Sequence, residues 1–216
     1  MSFAIIIPAQ ETNKYHKLGD LAPFGDTTLL EWKISQCKEI AKPFQIYISS
    51  DSEIVEEIAQ KEEVKFIKRK NQGSFNQIIK DTLLEVKEDT ILWTNPTSPF
   101  LGFKDYQLMI NKFKSHENIG SIVSVYSKYD YAYYDNKRLN FAKNFTPRTE
   151  LIPIQIVTNG CYVIRKNIAI QNESLYIDNS FLYELDYLSS IEIKDVHTYQ
   201  ISIELISAYF KRELDV

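Results

Sequence analysis

The feature that most constrains the fold is an alternation. Short apolar, β-branched runs take turns with longer segments whose apolar residues recur at helical spacing. FAIIIP, at residues 3–8, is a continuous apolar run, the pattern of a strand buried on both faces. TTLLEWKISQCKEIA then places Leu29, Leu30, Trp32, Ile34, Cys37 and Ile40/Ala41 at helical spacing, with Thr27 or Thr28 as N-cap. FQIYISS predicts a second strand. DSEIVEEIAQKEE predicts a helix capped by Asp51 or Ser52, with glutamates in its first turn. VKFIKR, SFNQIIKDTLLEVK, DTILWTNP, FKDYQLMINKFKSH and GSIVSVYS continue the series as strand, helix, strand, helix, strand. Such a chain predicts an α/β fold: a mostly parallel sheet, right-handed crossovers and helices on both faces.

The alternation stops near Ser127. The tyrosine-dense stretch that follows, residues 128–158, predicts a hairpin or arm inserted after the main sheet. NGCYVIRK is another strand, SFLYELDYLSSIEI returns to the sheet, and VHTYQISIELISAYFKREL is a C-terminal helix. At 216 residues the chain suits one domain, 1–216.

Composition removes several function classes. A net charge of −4 argues against the large basic face that nucleic-acid binding needs. No apolar run approaches the length of a bilayer span, and the five-residue run at the start follows no basic leader. A cytoplasmic protein is therefore expected. Cys37 and Cys161 are far apart, without a Cys-x-x-Cys partner. They predict two buried thiols in a reducing compartment, not a disulfide or zinc site.

In an open parallel sheet, ligands sit at the carboxyl ends of the strands. Four polar loops fall there: PAQETNKYHK, SSDS, KRKNQGS and NPTSP. Each alone reads as a solvated loop. Together they predict a site for a polar small molecule.

These loops, in order, resemble the acylneuraminate cytidylyltransferase family, whose members activate sialic, legionaminic and pseudaminic acids; related enzymes activate Kdo. Ile7-Pro8-Ala9-Gln10-Glu11-Thr12-Asn13-Lys14 stands where that family has Ile-Pro-Ala-Arg-x-x-Ser-Lys. Gly19-Asp20 stands for Lys-Asn, Ser49-Ser50-Asp51-Ser52-Glu53-Ile54 for Ser-Thr-Asp-x-x-Glu-Ile, and Asn95 to Leu101 for Gln-Pro-Thr-Ser-Pro-Leu-Arg. Arg148, Leu151, Pro153 and Asn159-Gly160-Cys161-Tyr162 follow the later motif, and Glu192-Ile193-Lys194-Asp195 the last. The similarity spans nearly the whole chain.

The resemblance implies a Rossmann-like fold of the nucleotide-diphospho-sugar transferase type, with the arm as a homodimer contact. It implies a reaction in which a sugar hydroxyl attacks the α-phosphorus of CTP and pyrophosphate leaves, for surface glycan synthesis. Such chemistry needs cations at the triphosphate and carboxylates at Mg²⁺. Lys14 is the implied catalytic cation, with an exposed loop lysine as the plainer reading. Ala9, Gln10, Lys14, Arg69 and Ser74 are the implied nucleotide-binding residues, Ser74 serving equally as a helix cap. Asn95, Arg148, Asn159 and Tyr183 are the implied acceptor residues, Arg148 across the dimer. Glu192 and Asp195 are the implied metal ligands. Gln10 and Leu101 replace arginines, and Lys194 replaces an aspartate. The alternative is therefore a homologue that has lost catalysis and serves as a binding or partner subunit.

Overall fold

The computed structural model describes residues 2–69, 74–142, 144 and 146–214, the last helix with its side chains to residue 208. In chain order the strands are β1 (Phe3–Pro8), β2 (Pro23–Phe24), β3 (Thr27–Thr28), β4 (Ile46–Ser50), β5 (Lys65–Lys68), β6 (Thr90–Thr94), β7 (Ser121–Lys128), β8 (Tyr133–Tyr134), β9 (Lys137–Arg138), β10 (Ile154–Arg165) and β11 (Phe181–Glu184). The helices are α1 (Leu29–Lys38), α2 (Glu53–Lys61), α3 (Phe75–Leu84), α4 (Phe103–Ser115), α5 (Lys166–Asn172) and α6 (Val196–Leu214).

Seven strands form one sheet in the order β11-β7-β10-β6-β1-β4-β5. β1 pairs parallel with both β4 and β6, and β11 parallel with β7. β10 runs antiparallel between β6 and β7. The expected mostly parallel sheet is what forms, and β10 is its reversed member among the described strands. Hydropathy marked β10 as a strand but carries no information about direction.

β1 is central because both its faces are apolar. Ile5 and Ile7 join Ile46 and Ile48 on the side packed by α1, α2 and α4. Ala4 and Ile6 join Ile91 and Trp93 on the side packed by α3 and α5. Ile5, Ile6 and Ile7 are fully buried, each contributing about 1.5–3 kcal/mol as an upper figure.

The helix starts follow capping chemistry. Thr28 caps α1 in a capping box with Glu31, Ser52 caps α2 and Ser74 caps α3. The 128–158 segment holds the β8/β9 hairpin, closed by Asp135 and Asn136 with positive φ as a tight hairpin turn requires. Its last residues, 154–158, are already strand β10. The stretch expected to return to the sheet does so only over Phe181–Glu184. Residues 191–194 are extended coil leading into α6, tied to the sheet's loops by Ile193 N donating to the Thr97 carbonyl at 2.7 Å.

Candidate functional site

The chain leaves β1 at Pro8 and must return to α1, and residues 10–20 make that return as a closed loop. Asp20 closes it. Its Oδ2 accepts from the Gln10 amide at 2.7 Å, its Oδ1 accepts from the Tyr15 hydroxyl at 2.6 Å, and its own amide donates to the Gln10 carbonyl at 2.8 Å. Gly19 allows the approach. It sits at φ +49°, and a Cβ there would overlap the Gln10 carbonyl and lie 2.7 Å from the Thr12 nitrogen. Tyr15 pins the loop to the core beside Phe24 and Ile193. In sequence Gly19-Asp20 stands for the family's Lys-Asn. Folded, Asp20 is the buried anchor of the loop.

Burial pushes the Asp20 carboxyl up to about 6, although the bonds from Tyr15 and Gln10 favour its ionised form. The sign follows. Between the unfolded value near 4 and about 6, the folded state holds more proton than the unfolded, so this group's contribution falls as pH rises. The shift of about two units corresponds to roughly 3 kcal/mol. Urea unfolding from pH 4 to 7 should show this loss. Asp20→Asn should flatten it, at a lower baseline because an amide cannot accept from both donors.

Arg69 stands at the end of β5. Its guanidinium donates to the Ala9 carbonyl at 2.6 Å and lies 3.4 Å from an Asp51 carboxylate oxygen. Its side chain is only 8% exposed. Ala9 is itself held by its amide on the Ser49 carbonyl. Pro8, Gln10, Asn13, Asp20, Arg69, Phe75, Asn95 and Thr97 surround a cavity of about 160 Å³. Thus Gln10 and Arg69, from the implied nucleotide set, line one cavity with Asn95, from the implied acceptor set. Lys14 lies exposed on the same loop, its ammonium without a partner among the described residues, its backbone amide bonded to Asn13 Oδ1. His16 is turned onto Tyr199, ring centroids 5.2 Å apart, and does not line the cavity. Ser74 is the cap of α3 and is exposed. Lys70 to Gly73, part of the KRKNQGS loop, lie outside the described residues.

Asn95 donates to the Asn159 carbonyl at 2.6 Å. Asn159 sits in a bulge of β10 at φ +53°, bonded to the Tyr162 hydroxyl and 3.5 Å from Glu192 Oε1. Gly160 beside it packs against Leu101 so closely that a Cβ would lie 2.7 Å from Leu101 Cδ2. Leu101 is fully buried, so this position is interior.

The implied metal ligands are in other use. Asp195 caps α6: its Oδ1 accepts from Thr198 N at 2.8 Å, and Thr198 Oγ1 accepts from Asp195 N at 3.0 Å. These bonds hold its carboxyl below the usual range. Glu192 Oε2 is 3.1 Å from the Lys194 ammonium, close enough for an ion pair but off the direction of a hydrogen bond. One oxygen beside an ammonium, with the second carboxylate spent on a helix, does not fit a Mg²⁺ pair. Residue 192 lies in coil and Asp195 at a helix cap, which separates the two carboxylates.

Two acceptor candidates lie elsewhere. Arg148 pairs with Asp130 at 2.6 Å in the arm, exposed. Tyr183 donates to Asp105 at 3.1 Å on α4. Burial first, then the Asp105 carboxylate, pushes its hydroxyl up to about 12. Asp105 lines a larger cavity of about 680 Å³, with Trp32, Phe103 and Leu108, on the far side of the 95–101 loop. That cavity is bigger and more apolar. The smaller one is the better site, because polar groups from three chain segments meet there.

A cavity beside β1 and β6, where the chain's crossovers change side, walled by a closed polar loop and a buried arginine, defines an α/β protein that handles a nucleotide-like ligand. The chain belongs to the cytidylyltransferase family, which matches residues 4–209. No curated protein matches the sequence. Among solved structures, a CMP:2-keto-3-deoxy-manno-octonic acid synthetase complexed with CTP superposes with a TM-score of 0.74 at 12% identity, covering 97% of this chain and 100% of that one. A 4-diphosphocytidyl-2C-methyl-D-erythritol synthase from Anaerococcus prevotii gives 0.70 at 14%, covering 97% and 98%. A cytidylyltransferase from Leptospira borgpetersenii gives 0.65 at 17%, covering 96% and 87%. These identities speak for the fold. Among the described residues, no helix is long and apolar enough to cross a membrane.

Proposed function

We propose that this protein transfers CMP from CTP to a sugar-acid acceptor of the sialic or Kdo type, releasing pyrophosphate and supplying a CMP-linked product for surface glycan synthesis. One observation carries the reading. Gln10, Arg69 and Asn95 meet at a small cavity beside β1 and β6, with an exposed lysine on the adjoining loop. The cavity suits a base, and the exposed loop suits a triphosphate. The two synthases named above, one of them complexed with CTP, are named for cytidyl products of different acceptors, which supports the nucleotide more than the acceptor.

In this reading an acceptor oxygen forms a bond to the α-phosphorus as the bond to the β-phosphate oxygen breaks. The acceptor proton passes to solvent, and negative charge builds on the departing pyrophosphate. Lys14 offsets that charge, and Arg69 fixes the Ala9 carbonyl beside the base. Mg²⁺ would enter as the companion of CTP, neutralising phosphate charge. Since Glu192 and Asp195 are not arranged to hold it, no step is assigned to it. The exposed Tyr133, Tyr134, Leu139 and Ile152 of the arm suit a homodimer contact that would bring Arg148 to a neighbour.

The test is pyrophosphate release from CTP with Mg²⁺ over a panel of nonulosonic acids and Kdo, beside the CTP-induced shift in melting temperature. Absence of both sinks the reading. Binding without release selects the second reading, a non-catalytic nucleotide-binding homologue, favoured by the spent Asp195 and the ion-paired Glu192. Lys14→Ala should raise the KM for CTP by about 10-fold or more, the loss of one phosphate cation. Its melting temperature should be unchanged, since the side chain is exposed.

A further inference from the structure

Lys33, in the second turn of α1, has no exposed surface. Its ammonium donates to the Ser98 carbonyl at 2.8 Å, the Leu101 carbonyl at 2.8 Å and the Tyr106 hydroxyl at 2.7 Å. Three donors meet three neutral oxygens, and no carboxylate among the described residues bonds to it. The Tyr106 hydroxyl also lies 2.8 Å from Thr94 Oγ1, which donates to the Gly160 carbonyl at 2.8 Å. One buried cation therefore joins α1, α4, the 98–101 turn, the end of β6 and the bulge of β10. The same pieces carry Asn95, Thr97 and Asn159, and two of these line the cavity. A side chain that only filled space would not need the charge, since burying a lone ammonium is costly and an apolar residue of similar length avoids the cost.

We propose that Lys33 is a positioning residue: its three bonds set where Asn95, Thr97 and Asn159 stand relative to the nucleotide cavity, without Lys33 touching substrate. The kinetic consequence rests on the nucleotidyl-transfer reading above; the structural consequence does not.

The groups facing Lys33 are Cys37 on its own helix, Cys161 from β10 and Tyr106 from α4, with Asp105 behind Tyr106. Burial pulls the Lys33 ammonium down to about 8. Burial pushes Cys37 up to about 12, Cys161 and Tyr106 well above their ordinary values, and Asp105 above the usual carboxylate range. The two thiols and the phenol thus stay protonated where Lys33 titrates. A neutral amine has two N–H groups where the ammonium has three, so the network of Ser98, Leu101, Tyr106 and Thr94 is one donor short once pH rises through about 8. Stability moves the other way. Between about 8 and the ordinary lysine value the unfolded state holds more proton, so Lys33's contribution to stability rises with pH.

The test compares wild type, Lys33→Met and Tyr106→Phe by amide hydrogen exchange of the free protein at one pH, and by kinetics from pH 7 to 9.5. Lys33→Met should speed exchange at residues 98–101 and 159–161 by about 10-fold or more and leave β4 unchanged. It should raise the KM for CTP more than it lowers kcat, and remove the wild type's alkaline rise in that KM. Unchanged exchange at 98–101 and 159–161, or an equal rise in β4, overturns the proposal. If Lys33→Met does not fold, Tyr106→Phe, which cuts the link to Thr94, carries the same comparison. If the wild type releases no pyrophosphate, the transfer reading fails, and the exchange data still decide the role of Lys33.

Discussion

Replacing Gly19 with alanine is expected to lower stability by about 2–5 kcal/mol and to abolish CTP binding. Two costs add. A left-handed backbone with a Cβ costs about 1–2 kcal/mol, and forcing a methyl into packed atoms costs about 1–3 kcal/mol. The atoms in the way belong to backbone at Gln10, Glu11 and Thr12, which cannot swing aside as a side chain would. Relief requires the loop to move away from Asp20. That breaks the bonds from the Gln10 amide and the Tyr15 hydroxyl and displaces the wall of the cavity. The urea midpoint and the CTP-induced melting shift measure the two effects. A variant matching wild type in both would show that the loop is not held by this contact.

Arg69→Ala should leave the sheet intact and reduce kcat/KM by about 100-fold, equivalent to roughly 2.7 kcal/mol of binding and positioning lost. The guanidinium's bond to the buried Ala9 carbonyl is of the charge-assisted kind, worth about 1.5–3 kcal/mol. The half-exposed Asp51 partner adds little. Arg69→Lys should recover only a small part. An ammonium keeps the charge but not the planar fork that reaches Ala9 and Asp51 together. Full activity in the lysine variant would mean that charge alone matters there.

The sheet and its helices were legible in sequence because burial on both faces and helical spacing leave direct traces, as in FAIIIP and TTLLEWKISQ. The caps Thr28, Ser52 and Ser74 were legible for the same local reason. The direction of β10 was not, since an antiparallel strand buried on both faces shows the same hydropathy as a parallel one. The anchoring role of Asp20 was not legible, because it lies in two partners, one ten residues away. Lys33 was passed over as an ordinary polar helix position. A signal was present: it lies four residues after Leu29 and four before Cys37, both fully buried, so its helical face was already committed to the interior. The family resemblance singled out Arg69 and Asn95, and the structure sets both on one cavity, whereas Glu192 and Asp195 hold the motif's place with an ion pair and a helix cap.

The closed ends of the 10–20 loop have one more consequence. Its shape is imposed at the seam, by Gly19, Asp20 and Gln10, and by the Tyr15 ring that seats it. The exposed positions between, among them Glu11, Thr12, Lys14 and Lys17, bear little of that work. The loop is a cassette with fixed terminals and an editable middle. A cation can be moved among those positions, or exchanged for another polar group, while the backbone that meets the ligand keeps its course.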